Sequence, residues 1–154
     1  MIWSLTMCPD ETNLLTDICT PLTEAQARMY SPLTLAFLGD AVYSLLVRNM
    51  LSLAANKPTG KLHKESITYV NAAFQASMIR ELLPHLTESE ATVFKRGRNA
   101  HSAHSPKNQS DADYRYATGL EALYGYLYLC GNTERIKEIF SISTYKAYVE
   151  KHNN

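Results

Sequence analysis

Two carboxylates stand alone in the two most apolar stretches of the sequence. Asp40 is the only acidic residue in positions 31–56, and Glu121 is the only charged residue in positions 116–133. An ionised carboxylate is costly to bury unless another group offsets its charge. Each acid is therefore expected either to be neutralised by a polar partner or to be kept as a ligand for a metal ion.

The spacing around the acids allows one shared metal site. In a helix, residues three or four apart lie on one face, which places Ala36 one turn before Asp40 and Thr118 one turn before Glu121. If the two helices cross at this level, the four positions line one site. Mg²⁺ binds oxygen ligands and usually takes one or two carboxylates, with water and substrate phosphate completing its shell. The two acids thus predict a magnesium site.

A purely structural role for the acids is the alternative. Each could be a buried carboxylate bonded to Arg48, Arg115 or a tyrosine hydroxyl, because buried polar groups are usually satisfied by a nearby partner. For either acid taken alone, both interpretations stay open. The presence of two such acids in one small chain favours the metal site.

A basic segment follows in the second half of the chain. Residues 95–107 contain four lysines and arginines and no acid. Such side chains neutralise phosphates and release counterions, which drives binding to nucleic acid, and neutral donors such as asparagine add contacts to phosphate or ribose. A solvated surface loop is the alternative. The candidate RNA contacts are Lys95, Arg96, Arg98, Asn99, His101 and Lys107, with a second, weaker group at Lys61 and Lys64.

The elements that must position these residues are predicted to be helices, with no strand. Pro32 after Ser31 marks a helix start, Thr87 and Glu90 fit a capping box, and Gly131 fits a helix end. Helices are predicted over residues 11–18, 22–29, 31–54, 61–82, 87–96, 112–130 and 133–151. The helix over 31–54 is apolar on most sides and is expected to be buried at the centre. The segment 97–110 is expected to be a loop.

Composition bounds the class of protein. The chain has 154 residues, 45% of them hydrophobic, which suits one all-α domain over 31–150 preceded by an N-terminal segment, 1–30, of short helices packed on the core. The formal net charge is zero, so a nucleic acid must be met by a local patch. Three cysteines without metal-ligand spacing fit a reducing cytoplasm. We expect no signal peptide and no membrane span, and no further pair completes a zinc site with His101 and His104.

Two helical motifs give a resemblance to a known family. The stretch Leu35–Val42, LAFLGDAV, resembles the signature helix of the ribonuclease III catalytic domain, and Leu120–Gly125, LEALYG, resembles its second acidic helix. The stretch Phe94–Ala100, FKRGRNA, is similar to the Mini-ribonuclease III subgroup in particular. Further matches to that subgroup lie at residues 61–64, 69–70, 106–108 and 114–118, so the resemblance covers roughly residues 31–140.

The resemblance implies an all-α, ribonuclease III-like helical bundle that acts as a homodimer. It implies an Mg²⁺-dependent endoribonuclease that cleaves double-stranded RNA, leaves 5′-phosphate and 3′-hydroxyl ends, and matures the large-subunit (23S) ribosomal RNA, with a ribosomal protein as a candidate partner presenting the substrate. Asp40 and Glu121 would be the catalytic metal ligands, and Phe37 and Val42 would lie near the dimer interface. The chain is too short for the separate double-stranded-RNA-binding domain of larger family members.

The sequence departs from the family pattern at three positions. Larger members have a Glu where this chain has Ala36 and an Asp where it has Thr118, so fewer negative charges surround the ion and its affinity is expected to be lower. The subgroup usually has Lys where this chain has His101. These departures keep a rival open, a structured-RNA binding module that lacks cleavage activity. A helical dimer that acts only through protein contacts is a second rival.

Overall fold

The computed structural model describes residues 21–100 and 111–153, which form helices and short connections without a strand. The all-α class predicted from the sequence is therefore confirmed for this part of the chain. The helix expected over residues 11–18 and positions 101–110 of the expected loop lie outside the described residues. The helices are α1 (Glu24–Arg28), α2 (Pro32–Ala54), α3 (Thr59–Val70), α4 (Ala72–Leu82), α5 (Glu88–Asn99), α6 (Asp111–Leu129), α7 (Thr133–Phe140) and α8 (Lys146–Asn153).

Helix α6 is the centre of the bundle. Every residue from Ala117 to Leu127 is buried except Glu121, which is half-buried, and α2, α4, α5 and α7 all pack against this helix. The expectation that α2 occupies the centre was wrong. Helix α2 buries one side against α6, while Phe37 and Leu45 on its other side are 83% and 67% exposed. An apolar pattern around the whole circumference does not distinguish a core helix from one with an apolar outer surface.

Helices α2 and α6 cross with their backbones in contact, at the level of both acids. A side chain at Gly39 would collide with the main-chain carbonyl of Glu121 and with the Gly125 nitrogen, and a side chain at Gly125 would collide with the Leu35 carbonyl. Glycine alone lacks the Cβ that would separate two helices at such a crossing. The two glycines therefore set how closely α2 approaches α6.

Local signals predicted several boundaries correctly. Pro32 opens α2, and the φ of 66° at Gly131 follows the end of α6. The predicted capping box is also present. The Thr87 hydroxyl accepts the Glu90 N–H at 3.2 Å, and the Glu90 carboxylate accepts the Thr87 N–H at 2.9 Å. These bonds satisfy amide groups that the first turn of α5 would otherwise leave free.

The single helix predicted over 61–82 is in fact two helices, because the chain breaks at Asn71. This residue has an extended backbone, and its side-chain amide donates to the carbonyls of Ile67 and Thr68 at 3.0 and 2.9 Å. Its side-chain oxygen accepts the Phe74 N–H at 2.9 Å. Asparagine competes with the helix for backbone partners in this way, so one residue ends α3 and caps α4.

Two other predicted elements differ in extent. The last helix, expected over 133–151, contains a π-helical turn, Ser141–Tyr145, between α7 and α8. In this turn the Ser143 hydroxyl donates to the Ile139 carbonyl at 2.6 Å. Helix α5 continues to Asn99, so Gly97 and Arg98 are helical and not part of a loop.

Within residues 21–100 and 111–153, no helix is both long and apolar enough to cross a membrane.

Candidate active site

The main chain brings the two predicted acids together. Asp40 follows Gly39 on α2, and Gly39 contacts the backbone of Glu121 on α6. The charge of Asp40 is close enough to raise the pKa of Glu121. Two acids that are far apart in the sequence therefore lie near one another at the crossing of α2 and α6.

The two acids differ in their exposure to solvent. The sequence suggested that both are costly to bury, but Asp40 is exposed and only Glu121 is half-buried. Asp40 directly follows Gly39, which contacts α6, yet its side chain stays exposed, so solvent stabilises its charge. The desolvation argument applies to Glu121 alone.

Burial changes the protonation of Glu121. Removal from water raises the pKa of this carboxyl from 4.5 to about 7, the negative charge of Asp40 adds to the increase, and a hydrogen bond from Gln75 opposes it. That bond runs from Gln75 Nε2 to Glu121 Oε1 at 3.3 Å. Without a cation, Glu121 is therefore partly protonated at neutral pH.

The basic partners that would neutralise the acids lie elsewhere. Arg115 pairs with Asp111 at 3.0 Å, one turn earlier on α6. Arg48 lines a separate cleft of about 200 Å³ between α2 and α3. Within residues 21–100 and 111–153, no lysine, arginine or histidine forms an ion pair with Asp40 or Glu121. Of the structural alternative, the pairing with Arg48 or Arg115 has no support in this part of the chain, whereas Gln75 gives Glu121 one neutral hydrogen-bond partner.

Ala36 and Thr118, each one turn before one of the two acids, are buried beside the crossing. Ala36 offers no ligand atom. The Thr118 hydroxyl donates to the Tyr114 carbonyl at 2.9 Å, which leaves the lone pairs of its oxygen available. Thr118 can therefore supply a neutral oxygen to the site, whereas Ala36 cannot.

These oxygen atoms suit a hydrated divalent cation. Two carboxylates and a hydroxyl are hard ligands of the kind that Mg²⁺ takes together with water, and a cation would relieve the repulsion between Asp40 and Glu121. The described ranges contain no group of three or more His, Cys, Asp or Glu side chains arranged for a metal. A donor set of two carboxylates and a hydroxyl fits an Mg²⁺ ion that keeps several of its waters.

The predicted basic residues of α5 have different surroundings. Lys95 is exposed. The Arg96 guanidinium donates to the carbonyls of Arg28 and Tyr30 at 2.6 and 3.1 Å, so part of it joins α5 to the connection between α1 and α2. Arg98 donates to the Asn99 side chain at 3.1 Å. His101 and Lys107 lie outside the described residues.

Aromatic rings hold the Arg98 guanidinium at the end of α5. It lies 5.6 Å from the centre of the Phe94 ring and 5.8 Å from that of Tyr116. Arg80 lies over the same Tyr116 ring at 4.7 Å and pairs with Asp113 at 3.0 Å. Such cation–π contacts are favourable. Arg80 was not predicted as a neighbour of these rings, since its own helix carries no group of basic residues.

The second basic group is on another helix. Lys61 and Lys64 are exposed in the first turns of α3, which packs mainly against α2 and α4. The structure therefore does not join these lysines to the basic end of α5 in one cluster.

Known proteins of similar sequence and structure match most of this chain. The Ribonuclease III domain family matches residues 33–132. The Mini-ribonuclease 3 of a Thermoanaerobacter species is 47% identical over 122 residues, which cover 79% of this chain and 86% of that protein. The Mini-ribonuclease 3 of Brevibacillus brevis is 52% identical over 109 residues, which cover 71% and 81%. A crystal structure of a Fusobacterium nucleatum protein superposes with a TM-score of 0.73 at 34% identity, covering 81% of this chain and 95% of the other.

The raised pKa of Glu121 predicts how a Glu121→Gln variant depends on pH. Because the folded carboxyl has a pKa of about 7 and its ordinary value is 4.5, the folded protein binds more protons than the unfolded chain between these values, and stability falls as the pH rises through them. Glutamine carries no charge. In EDTA, we expect the variant to exceed the wild type in unfolding free energy by on the order of 1–3 kcal/mol at pH 8, with little difference at pH 5.

Urea unfolding at the two pH values measures this difference. Glu138→Gln is the matched control, since Glu138 is exposed and pairs with Arg135 at 2.8 Å. Added Mg²⁺ should reduce the advantage of Glu121→Gln at pH 8 by favouring the ionised wild-type carboxylate. An equal stability difference at pH 5 and pH 8 would contradict the assignment of a buried, proton-binding Glu121.

Proposed function

This chain belongs to the Ribonuclease III domain family and is an endoribonuclease, and we propose that it hydrolyses double-stranded RNA with Mg²⁺ held by Asp40 and Glu121. The main support from the structure is the meeting of these two acids, from separate helices, without a basic partner in the described residues. Such a pair attracts a divalent cation and leaves room for water and phosphate.

The two acids have complementary tasks in the proposed reaction. When bound, Mg²⁺ lowers the pKa of a water molecule and stabilises charge on the attacked phosphate. The exposed Asp40 faces solvent, where an RNA phosphate can approach, while the half-buried Glu121 provides a more rigid carboxylate. The Thr118 oxygen adds a neutral acceptor. No side-chain nucleophile is needed.

The basic C-terminal end of α5 is the surface that we propose binds the RNA backbone. Lys95, Arg98 and Asn99 lie on the last two turns of this helix, and α5 packs directly on α6, which carries Glu121. His101 and Lys107, next in the chain, are predicted to extend this RNA-binding surface. Arg96 retains N–H donors beyond those that bond the two carbonyls. Because A-form RNA hides its base edges, we expect recognition by shape, phosphate and 2′-hydroxyl groups.

The exposed side of α2 is the proposed homodimer interface. Leu33, Phe37 and Leu45 lie four or eight residues apart and are therefore on one stripe, and the neighbouring Val42 is half-buried. A twofold dimer formed through this stripe places one site against each strand of a duplex, as pseudo-symmetric double-stranded RNA requires. A second copy of the chain also covers apolar surface that would otherwise face water.

The natural substrate we propose is the precursor of large-subunit (23S) ribosomal RNA, in the cytoplasm. The support is the similarity to proteins named Mini-ribonuclease 3, over 71% or more of this chain in the two relatives described above. A ribosomal protein that presents the RNA is a further proposed partner.

Cleavage of a long RNA duplex tests the proposed site. The wild type should cleave with Mg²⁺ and not with EDTA, and Asp40→Asn and Glu121→Gln should each lower the rate by about 100-fold or more, because one metal ligand supplies several kcal/mol of transition-state stabilisation. Glu138→Gln, at an exposed position of α7, should retain the wild-type rate. Duplex binding without cleavage under any divalent cation would instead support the RNA-binding module.

The salt dependence of RNA binding tests the proposed RNA-binding surface at the end of α5. Arg98→Ala should weaken duplex binding in EDTA and reduce the slope of log K against log salt by about one, the value expected for one lost phosphate contact. Tyr116→Leu should weaken binding by releasing Arg98, while Tyr116→Phe retains the ring and should bind normally. Lys137→Ala, which loses only an exposed pair with Glu134, is the control. An unchanged slope for Arg98→Ala would remove this residue from the RNA surface.

The molar mass in solution tests the interface. A charge placed on the apolar stripe cannot be buried without a large penalty, so Phe37→Glu should convert a dimer to a monomer in light scattering. Ile67→Glu is the matched control, because Ile67 is 51% exposed on α3, outside the stripe. A wild-type monomer, or a Phe37→Glu dimer of unchanged affinity, would contradict the proposed interface.

A further inference from the structure

A buried glutamine touches the candidate catalytic acid. Gln75, on α4, is 2% exposed. Its Nε2 donates one hydrogen bond to the Val70 carbonyl at 3.0 Å and another to Glu121 Oε1 at 3.3 Å. Helix α4 thus contributes to a site whose acids come from α2 and α6.

The position of this side chain is fixed by its surroundings. Its main-chain N–H donates to the Asn71 carbonyl at 3.0 Å in the first turn of α4, so the helix break at Asn71 sets where the side chain starts. The bond to Val70 fixes where it ends, because the last carbonyls of α3 lack helical partners and need an outside donor. With both ends held, the second Nε2 hydrogen is directed at Glu121 without further loss of freedom.

The amide carries one group that the protein does not satisfy. Gln75 Oε1 is buried and has no hydrogen-bond partner in the described part of the chain. Leaving a buried acceptor unpaired costs about 1–3 kcal/mol, and the Val70 bond alone does not explain this arrangement. A water molecule beside the two acids would donate the hydrogen bond that this oxygen lacks.

We propose that Gln75 is a positioning residue of the active site, which holds Glu121 Oε1 so that the other carboxylate oxygen faces the metal. This inference rests on the proposed function. Ala36 offers Glu121 no polar contact and the Thr118 hydroxyl donates to Tyr114, so Gln75 supplies that constraint from a third helix. Because the amide is neutral, it orients the carboxylate without adding to the charge that the cation must balance.

Direct binding of Mn²⁺, followed by the loss of its free EPR signal, tests the proposal without an activity measurement. Gln75→Met keeps the side-chain volume and removes both amide contacts. We expect its dissociation constant for Mn²⁺ to rise about tenfold, the lower range for loss of a group that orients a metal ligand. Ser77→Ala is the matched control on α4, since Ser77 bonds only the Phe74 carbonyl, at 2.8 Å, and should bind as the wild type does.

The outcomes separate this inference from the proposed function. If the wild type binds Mn²⁺, Glu121→Gln does not, and a folded Gln75→Met binds unchanged, the role of Gln75 is overturned while the metal site stands. Equal weakening in Gln75→Met and Ser77→Ala would also overturn it. A wild type that does not bind Mn²⁺ would overturn both.

A second measurement on the wild-type protein remains informative if Gln75→Met fails to fold. In ¹⁵N-resolved NMR spectra, the side-chain amide of Gln75 should shift on addition of Mg²⁺. The amide of Gln26, whose Oε1 instead accepts from the Thr23 N–H at 2.9 Å in the cap of α1, should not. An unmoved Gln75 signal at saturating Mg²⁺ would contradict its contact with a metal-binding Glu121.

Discussion

The contact between the backbones of α2 and α6 is the constraint on which the rest of this structure depends. It exists because Gly39 and Gly125 present no side chain where the helices cross. The crossing places Asp40 beside Glu121, and it makes α6 a helix packed on almost all sides. With larger residues at these positions the helices would stand farther apart, and the two carboxylates would act as separate surface and core groups.

The electrostatics of the site follow from this proximity. Withdrawal of Glu121 from water, with the negative charge of Asp40 adding to its effect, raises the pKa of Glu121 to about 7. A fold would not retain such a pair for stability, because it weakens the folded state as the pH rises. A cation converts the same pair into a favourable arrangement. In the proposed function, the charge that is unfavourable for the fold is the same charge that would hold the cation.

Much of the scaffold could be predicted from the sequence, because its signals are local. Pro32 and the Thr87–Glu90 capping box mark helix starts through short-range bonds, and two isolated acids in apolar helices indicated a shared site. Contacts between distant segments could not be predicted. The break at Asn71 depends on a side chain that competes with the helix, and the contact of Gln75 with Glu121 joins residues far apart in the chain. The available signal was a single glutamine in an apolar helix, but the helical periodicity does not show which other helix its side chain contacts.

The α2–α6 crossing separates the architecture of the site from its charge. Glycine hydrogens and main-chain atoms form the contact, so the carboxylates project from it and do not support it. Amides or smaller groups can replace the acids without repacking the helices. The side chains around the crossing can therefore change while the bundle that carries them stays the same.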